Sequence, residues 1–453
     1  QARLREPAQA GVPPQAASLP RADAAWWQAF GDAQLDRLVQ QAIDSSPGLQ
    51  VAQARLAKAV AATRAAEAAE QPRVTGDAQL MRQRYSENYM YSVLGGTEQS
   101  NGTLQINGSW ELDFFGRNRA AIEAAVGGAR AAAAEADAAR VLLATNVVRT
   151  YVQWARAQAQ LDVARRTLAQ REETLKLVRD RVAAGLDTQL ELRQSEGGLP
   201  EARLQIEALD EQATLARHAL DALIAVPGAT TTLRAPELRA LRPVALAAEI
   251  PADLLARRPD IAAARWRVEA AASDEDLARL QFYPNINLSA FVGTQAFGFG
   301  KLVASSSAQW GVGPAIHLPI FEGGRLRANL RGKAADHDAA VQSYNAAVVD
   351  AVREVADQVA SARSIGRQQV QQRDAQAAAE GAFEIARHRY EAGLGNYLQV
   401  LAAESAVLSQ RRQAVDLMAR ALDTQAALAR ALGGGWADGV APAVTSSALA
   451  SVR

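Results

Sequence analysis

The chain has no cysteine. Disulfides, thiolate zinc sites and a cysteine nucleophile are excluded together. Histidine is nearly as scarce: His218, His317, His337 and His388 lie in four different segments, which is no pattern for a His-rich metal centre. Net charge is missing too, since 49 basic residues balance 49 acidic ones. Nothing therefore points to nucleic acid as a partner. No stretch approaches the roughly 18 consecutive apolar residues that a membrane helix requires. Proline is absent between Pro72 and Pro200, and again between Pro319 and Pro442. Those gaps leave room for helices far longer than the about 8–20 residues usual in globular domains.

A constellation for chemistry is also missing. Ser195 and Ser289 have no obvious partnered base. Gly433-Gly434-Gly435 lacks the lysine and following Ser/Thr of a phosphate loop. Carboxylates on the helical stretches alternate with arginine, as in Arg171-Glu172-Glu173 and Arg179-Asp180-Arg181, the pattern of a solvated face. No enzyme activity, cofactor or metal is expected.

What is present is patterned. From Thr103 to Leu112 the chain alternates strictly, with Leu104, Ile106, Gly108, Trp110 and Leu112 on one face and Thr103, Gln105, Asn107, Ser109 and Glu111 on the other. A period of two places these sets on opposite sides of a β-strand. After Phe114-Phe115-Gly116 the pattern changes to alanine, arginine, glutamate and leucine as far as Ala184. Val147, Trp154, Leu161, Leu168, Leu175 and Val182 recur every seven residues, the spacing of a coiled-coil seam. The spacing predicts one helix roughly 100 Å long at 1.5 Å per residue.

The same unit occurs twice. Pro47, Arg55 and Pro72 match Pro259, Arg267 and Pro284 at an offset of 212. Arg117, Arg119, Ala184-Gly185-Leu186 and Leu190 match Arg325, Arg327, Ala392-Gly393-Leu394 and Leu398 at an offset of 208. The expected organisation is a flexible tail (1–24), a first repeat (25–226), a connector (227–258), a second repeat (259–433) and a C-terminal tail (434–453). The first repeat holds a hairpin at 73–115, a long helix at 117–184 and a shorter helix at 187–225. Its counterparts in the second are at 284–321, 325–392 and 396–433. In the second hairpin Ile286, Leu288, Ala290 and Val292 oppose Asn285, Asn287 and Ser289; Trp310, Val312, Ile316, Leu318 and Ile320 oppose Gln309, Gly311 and Gly313. Gly185 and Gly393 suit a left-handed helix C-cap, with Leu186 and Leu394 folding back on the last turn. Asp187 and Asn396 can then cap the next helices. Pro200, inside the first shorter helix, has Leu408 as its counterpart and predicts a bend there.

Four strands with one apolar and one polar face fit a soluble sandwich, or a membrane barrel whose apolar face meets lipid. Strands of about 10 residues span a bilayer, and they run into helices too long to cover so small a sheet. Trp110 and Trp310 fall at matching places for an aromatic girdle. Four strands cannot close, and an open edge cannot face lipid, so several chains would share a barrel. Three chains give twelve strands and leave room for a channel.

Six motifs, in order and inside the repeat, carry a resemblance over residues 24 to 436. They are Trp26-Trp27 with Phe30-Gly31-Asp32; Trp110-Glu111-Leu112-Asp113-Phe114-Phe115-Gly116; Arg257-Arg258-Pro259-Asp260-Ile261; Phe282-Tyr283-Pro284; Pro319-Ile320-Phe321-Glu322-Gly323-Gly324; and Tyr390-Glu391-Ala392-Gly393 with Tyr397-Leu398. The sequence resembles the TolC-like outer-membrane factors of tripartite efflux pumps, nearest the lipid-anchored branch that works with resistance-nodulation-division transporters. The resemblance implies a homotrimer with a twelve-stranded barrel in the outer membrane and a twelve-helix periplasmic tunnel. It implies a periplasmic adaptor and an inner-membrane transporter as partners, and an acylated N-terminal cysteine that this chain does not contain. Exit ducts of type I protein secretion and a periplasmic coiled-coil scaffold are the alternative readings. A secreted enzyme on a helical stalk would be a third, without a site to support it.

By the same resemblance, Leu398 holds the position of the constricting apolar residue; a seam residue between helices is the other reading. Ala402 and Ser405 stand where close relatives place an acidic residue and an arginine. Glu404 and Arg193 are the charges that could substitute, with Tyr390, Tyr397 and Asn396 nearby. Adaptor docking is expected at Arg181, Ala184, Gly185, Leu186 and Asp187, and at Arg389, Ala392, Gly393, Leu394 and Gly395. Glu111 and Asp113 are expected to face water at the junction of barrel and tunnel.

Overall fold

The computed structural model of the chain describes residues 25–88, 92–242 and 258–434. The tails 1–24 and 435–453 and the connector residues 243–257 lie outside the described residues. Seven α-helices and four strands are described: α1 (Ala33–Ser45), α2 (Pro47–Glu67), β1 (Arg73–Arg84), β2 (Glu98–Leu112), α3 (Arg117–Ala183), α4 (Gln189–Leu223), α5 (Pro259–Leu280), β3 (Asn285–Phe297), β4 (Ala308–His317), α6 (Arg325–Glu391) and α7 (Tyr397–Ala431). Helices α3 and α6 each have 67 residues, and α4 and α7 each have 35. The two copies are thus equal in the lengths of these helices even where their sequences differ. No described helix is long and apolar enough to cross a membrane.

Two compact units form, and each draws on both copies of the repeat. One comprises Gln1–Val51, Ala136–Ile261 and Val348–Arg453; the other comprises Ala52–Glu135 and Ala262–Ala347. The second unit holds the sheet. Its order is β1-β2-β3-β4, all antiparallel, so the β2–β3 pair joins the two hairpins. Among the described residues the apolar face is largely bare: Val74, Leu80, Ile106, Val292, Trp310, Val312 and Ile316 are all more than half exposed, and Leu302 covers only the hairpin end at Gly102. The opposite face is knitted by side-chain amides. Asn107 donates to Asp77 at 2.5 Å, Gln105 to Asn107, and Gln309 to Gln105 at 3.2 Å.

Two expectations about this sheet need correction. Strand β4 stops at His317, so Leu318 and Ile320 lie beyond the ladder. Trp110 and Trp310 are not at matching heights. Trp110 pairs with Leu288 and Trp310 with Val292, four residues apart along β3, or about 13 Å. Their surroundings differ as well. The Trp110 indole donates to the Glu70 carbonyl at 2.9 Å, tying the strand to the turn after α2, whereas Trp310 is 76% exposed.

Helices in this unit approach closely where side chains vanish. A Cβ on Gly127 of α3 would lie 3.0 Å from the Cβ of Ala270 on α5. Gly127 is therefore a contact point that the helix tolerates despite glycine's poor propensity, while its neighbour Gly128 faces open space. Trp266 of α5 is stacked by the guanidinium groups of Arg130 and Arg265, 4.6 and 5.0 Å from the ring centre.

The first unit has an apolar core built on the heptad seam. Val147, Trp154, Leu161 and Leu175 are all buried. Trp26, Trp27 and Phe30 pack on Leu35, Val39, Tyr151, Leu220 and Leu422. The connector joins them through buried Leu238 and Leu241, and the Arg242 amide donates to the Phe30 carbonyl at 3.0 Å. In the second copy Val348, Val355 and Ala362, which recur every seven residues along α6 as the seam of α3 does, are only half-buried within the chain. Helix α4 continues through Pro200 without interruption. Arg258 of the Arg-Arg-Pro-Asp motif is buried and donates to Asp260 and Glu354, at 2.7 Å each, and to the Ala431 carbonyl at 3.3 Å. It joins the start of α5 to α6 and to the end of α7.

Asp32 does two jobs at the start of α1. One carboxylate oxygen accepts from the Gln34 and Leu35 amides at 2.7 and 3.2 Å, and the other accepts from the Tyr151 hydroxyl at 2.7 Å. Asp32→Ala is expected to cost about 2 kcal/mol, a cap plus a buried hydrogen bond. Hydrogen exchange checks it: the Gln34 and Leu35 amides should lose protection, and Tyr151→Phe alone should leave them protected.

Candidate functional site

The two long helices end alike. Gly185 and Gly393 take left-handed φ values of 72° and 75°. Their amides donate to Val182 and Tyr390, and the amides of Leu186 and Leu394 reach back to Arg181 and Arg389 at 2.8 and 2.7 Å. This is the paired bonding of a Schellman motif. The backbone folds back as expected, but the side chains do not. Leu186 and Leu394 are 65% and 71% exposed, because the turn aims them away from the last helical turn.

Beyond the turn the copies diverge. Asn396 caps α7 by accepting from the Gln399 amide at 3.0 Å. Asp187 does not cap α4. That position belongs to Thr188, whose hydroxyl accepts from the Leu190 amide while Glu191 accepts from the Thr188 amide, a capping box. Asp187 is released for other work. It accepts from the Arg181 guanidinium at 2.8 Å and from the Tyr390 hydroxyl. Arg181 in turn lies over the Tyr390 ring, 4.5 Å from its centre.

One carboxylate thus joins the tip at α3–α4 to the tip at α6–α7. The pair is well shielded, with side chains only 11% and 10% exposed. Burial alone would raise the Asp187 carboxyl, but the hydrogen bonds from Arg181 and Tyr390 outweigh it and hold the carboxyl below the usual range. Burial and the nearby Asp187 charge push the Tyr390 phenol upward, so it stays a donor. At an offset of 208, Arg389 answers to Arg181 but Gly395 answers to Asp187. Arg389 instead donates to the Leu394 carbonyl at 3.2 Å.

Leu398 is 61% exposed, so it is not packed in a seam of its own chain. Tyr397, its neighbour, is buried with Tyr390, Val178 and Val400. Glu404 is only 7% exposed and faces its own chain. It accepts from Arg171 at 3.2 Å and from Gln170 at 3.4 Å. Arg171 also holds the Gly198 carbonyl at 2.8 Å and Glu201 at 3.1 Å. Burial raises the Glu404 carboxyl, with Arg171 opposing. Arg193 is exposed and paired with Glu196 at 3.0 Å. At the strand–helix junction Glu111 lies opposite Asn287, half-buried, and Asp113 accepts from the Arg119 amide at 3.0 Å in the first turn of α3. Among the described residues no group of His, Asp and Glu is placed to hold a metal ion.

The sequence named Arg181, Asp187 and Tyr390 separately but did not join them. Arg181 and Tyr390 are 209 positions apart, and no periodicity links them. The one available signal was the replacement of Asp187 by Gly395 in the repeat, a polar residue in one copy without a partner in the other. The Arg171–Glu404 pair left no signal.

The family model for outer membrane efflux proteins matches residues 38–226 and 250–434. The chain belongs to that family, whose solved members are outer-membrane channels with a β-barrel joined to a helical barrel. It is 42% identical over 321 residues to the fusaric acid resistance protein FusA of Burkholderia cepacia, covering 69% of this chain and 60% of that protein. It is 32% identical over 432 residues to the multidrug resistance outer membrane protein MdtQ of Escherichia coli O6:H1, covering 91% of this chain and 88% of that one. The crystal structure of the outer membrane protein VceC from Vibrio cholerae superposes with a TM-score of 0.86 at 36% identity, over 92% of this chain and all of that one.

Asp187→Ala should therefore loosen both tips, not one. The loss of a shielded charged hydrogen bond is expected to cost about 1–3 kcal/mol. Amide exchange should accelerate in both 181–196 and 389–399; a change confined to the first segment would contradict the bridge. The pH dependence has a definite sign. The folded carboxyl titrates below the free one, so its contribution is complete above the ordinary aspartate range and is lost as pH falls through the lowered value. Tip protection should hold at mildly acid pH and drop only below about pH 3.9, where free aspartate has begun to protonate.

Proposed function

We propose that three copies of this chain form the exit duct of a tripartite efflux pump, opened at its periplasmic end by an adaptor and energised by an inner-membrane transporter. The observation that carries this reading is the sheet. Among the described residues its apolar face is largely uncovered, its edge strands β1 and β4 are open, and its strands lead into 67-residue helices. Twelve strands from three copies would remove every edge and leave a water-filled interior lined by the Asp77–Asn107–Gln105–Gln309 face. Nothing in the chain suggests a means of harvesting energy, so transport would be passive here.

At the tips, Leu398 is the residue we assign to the constriction: one exposed leucine per chain makes a ring of three. The Arg181–Asp187–Tyr390 bridge would hold that end narrow. Glu404 and Arg193 fit the constriction less well, since each is engaged inside its own chain. Leu186 and Leu394 offer exposed apolar knobs to the helical hairpins of an adaptor, flanked by Arg389 and by Gly185 and Gly393. Trp310, exposed on the apolar face, suits the lipid interface better than Trp110, whose indole is already bonded. The relatives named for fusaric acid and multidrug resistance support small molecules as cargo. No observation favours protein secretion.

Single-channel recording in planar bilayers tests this. The wild-type protein should insert as an oligomer and conduct weakly. Leu398→Gly should conduct several-fold more, with unchanged insertion. Equal conductance in the two would remove Leu398 from the constriction, and absence of any channel from the wild type would sink the duct.

A further inference from the structure

One aromatic ring sits on the wrong face of the sheet. In β3, Phe291 shares its side with Asn287, Ser289 and Gln295, and its cross-strand partners are Asn107 and Gly311. It lies among hydrogen-bonding amides rather than with the apolar residues opposite. Packing covers only part of it, for the residue remains 38% exposed.

The wall around it is shaped for the ring. A Cβ on Gly311 would lie 2.6 Å from the Phe291 ring, so the ring leans across β4 into the space the glycine leaves. Gly311 has no positive φ; the backbone would accept other residues there, and the ring would not. Gly313, diagonal to it on β4, has open space where a side chain would stand, whereas at Gly293, next along β3, the backbone of β2 comes within 2.2 Å of that position. The ring therefore has an open flank toward Gly313 and a backbone wall toward β2. Six residues toward the hairpin end, about 20 Å away, Phe297 repeats the feature. It is 51% exposed on the same face, with Tyr85 edge-on at 6.4 Å.

We infer that Phe291, seated over Gly311 with the open flank at Gly313, is a stacking subsite for flat aromatic solutes on the inner wall of the duct. The inference rests on reading the polar face as the water-lined wall. A ring seated in the space over a glycine presents its exposed part to a passing molecule without narrowing the passage. Stacking is tolerant of substituents, so the site takes a class of molecules rather than one. It deepens the duct reading by giving the barrel a preference of its own, apart from any set by the transporter.

The test is current block in planar bilayers, with proflavine added on the side of the hairpin ends, where it reaches the barrel without crossing the tips. Wild-type channels should show discrete blocking events. In Phe291→Leu the residence time should fall roughly fivefold, the loss of one aromatic contact, while Phe291→Tyr keeps it. Tetraethylammonium, equally cationic but not flat, should distinguish none of them. Should Phe291→Leu fail to insert, Phe291→Met asks the same question. Equal proflavine residence in wild type and Phe291→Leu, or no proflavine block of a conducting wild type, overturns the subsite and leaves the duct standing. A wild type that forms no channel overturns the duct itself, and the subsite with it.

Discussion

A backbone polar group cannot be left unpaired in hydrocarbon. Everything in the sheet answers to that constraint. Strands β2 and β3 are satisfied on both sides, but among the described residues β1 and β4 each have an unpaired edge. The exposed apolar side chains on one face admit lipid; the two edges do not. A single copy is therefore an incomplete object, and completion by further copies supplies the closed wall and the aqueous interior in one step. The helices follow from the same requirement. A ring of strands needs a ring of supports, and the half-buried seam of α6 is the surface a chain would present to its neighbour.

The two copies of the repeat share a scaffold and divide the labour. Both tips carry the same glycine turn, and both following helices are capped, by Thr188 and Asn396. Only the first carries the carboxylate, and only the second carries the tyrosine that binds it. The buried charges diverge similarly: Glu404 of the second copy is neutralised by Arg171 of the first. Functional asymmetry arises here by substituting single side chains on duplicated backbone.

Much of this was legible in the sequence because it is local and periodic. Alternation gave the strands, the seven-residue spacing gave the buried face of α3, and proline and glycine gave the ends of α2, α5 and the long helices. What stayed hidden was either a matter of register or of contact at long range. The heights of Trp110 and Trp310 depend on how β2, β3 and β4 pair, and the two stand 200 positions apart rather than at the repeat offset of 208, which sets Leu318 against Trp110. Asp187 looks like a cap because aspartate after a glycine turn often is one; Thr188 with Glu191 three residues on carries the stronger capping signal. Phe291 was visible as the residue that breaks the alternation of β3, but a break in a pattern has no meaning until the neighbouring Gly311 is seen beside it.

Because Thr188 caps α4, Asp187 contributes nothing to starting that helix. Starting the helix and joining the two tips are thereby assigned to adjacent but separate residues. The carboxylate can be lost, moved or exchanged over generations without unwinding the helix that follows it, so the contact between the tips is free to change while the architecture is inherited intact.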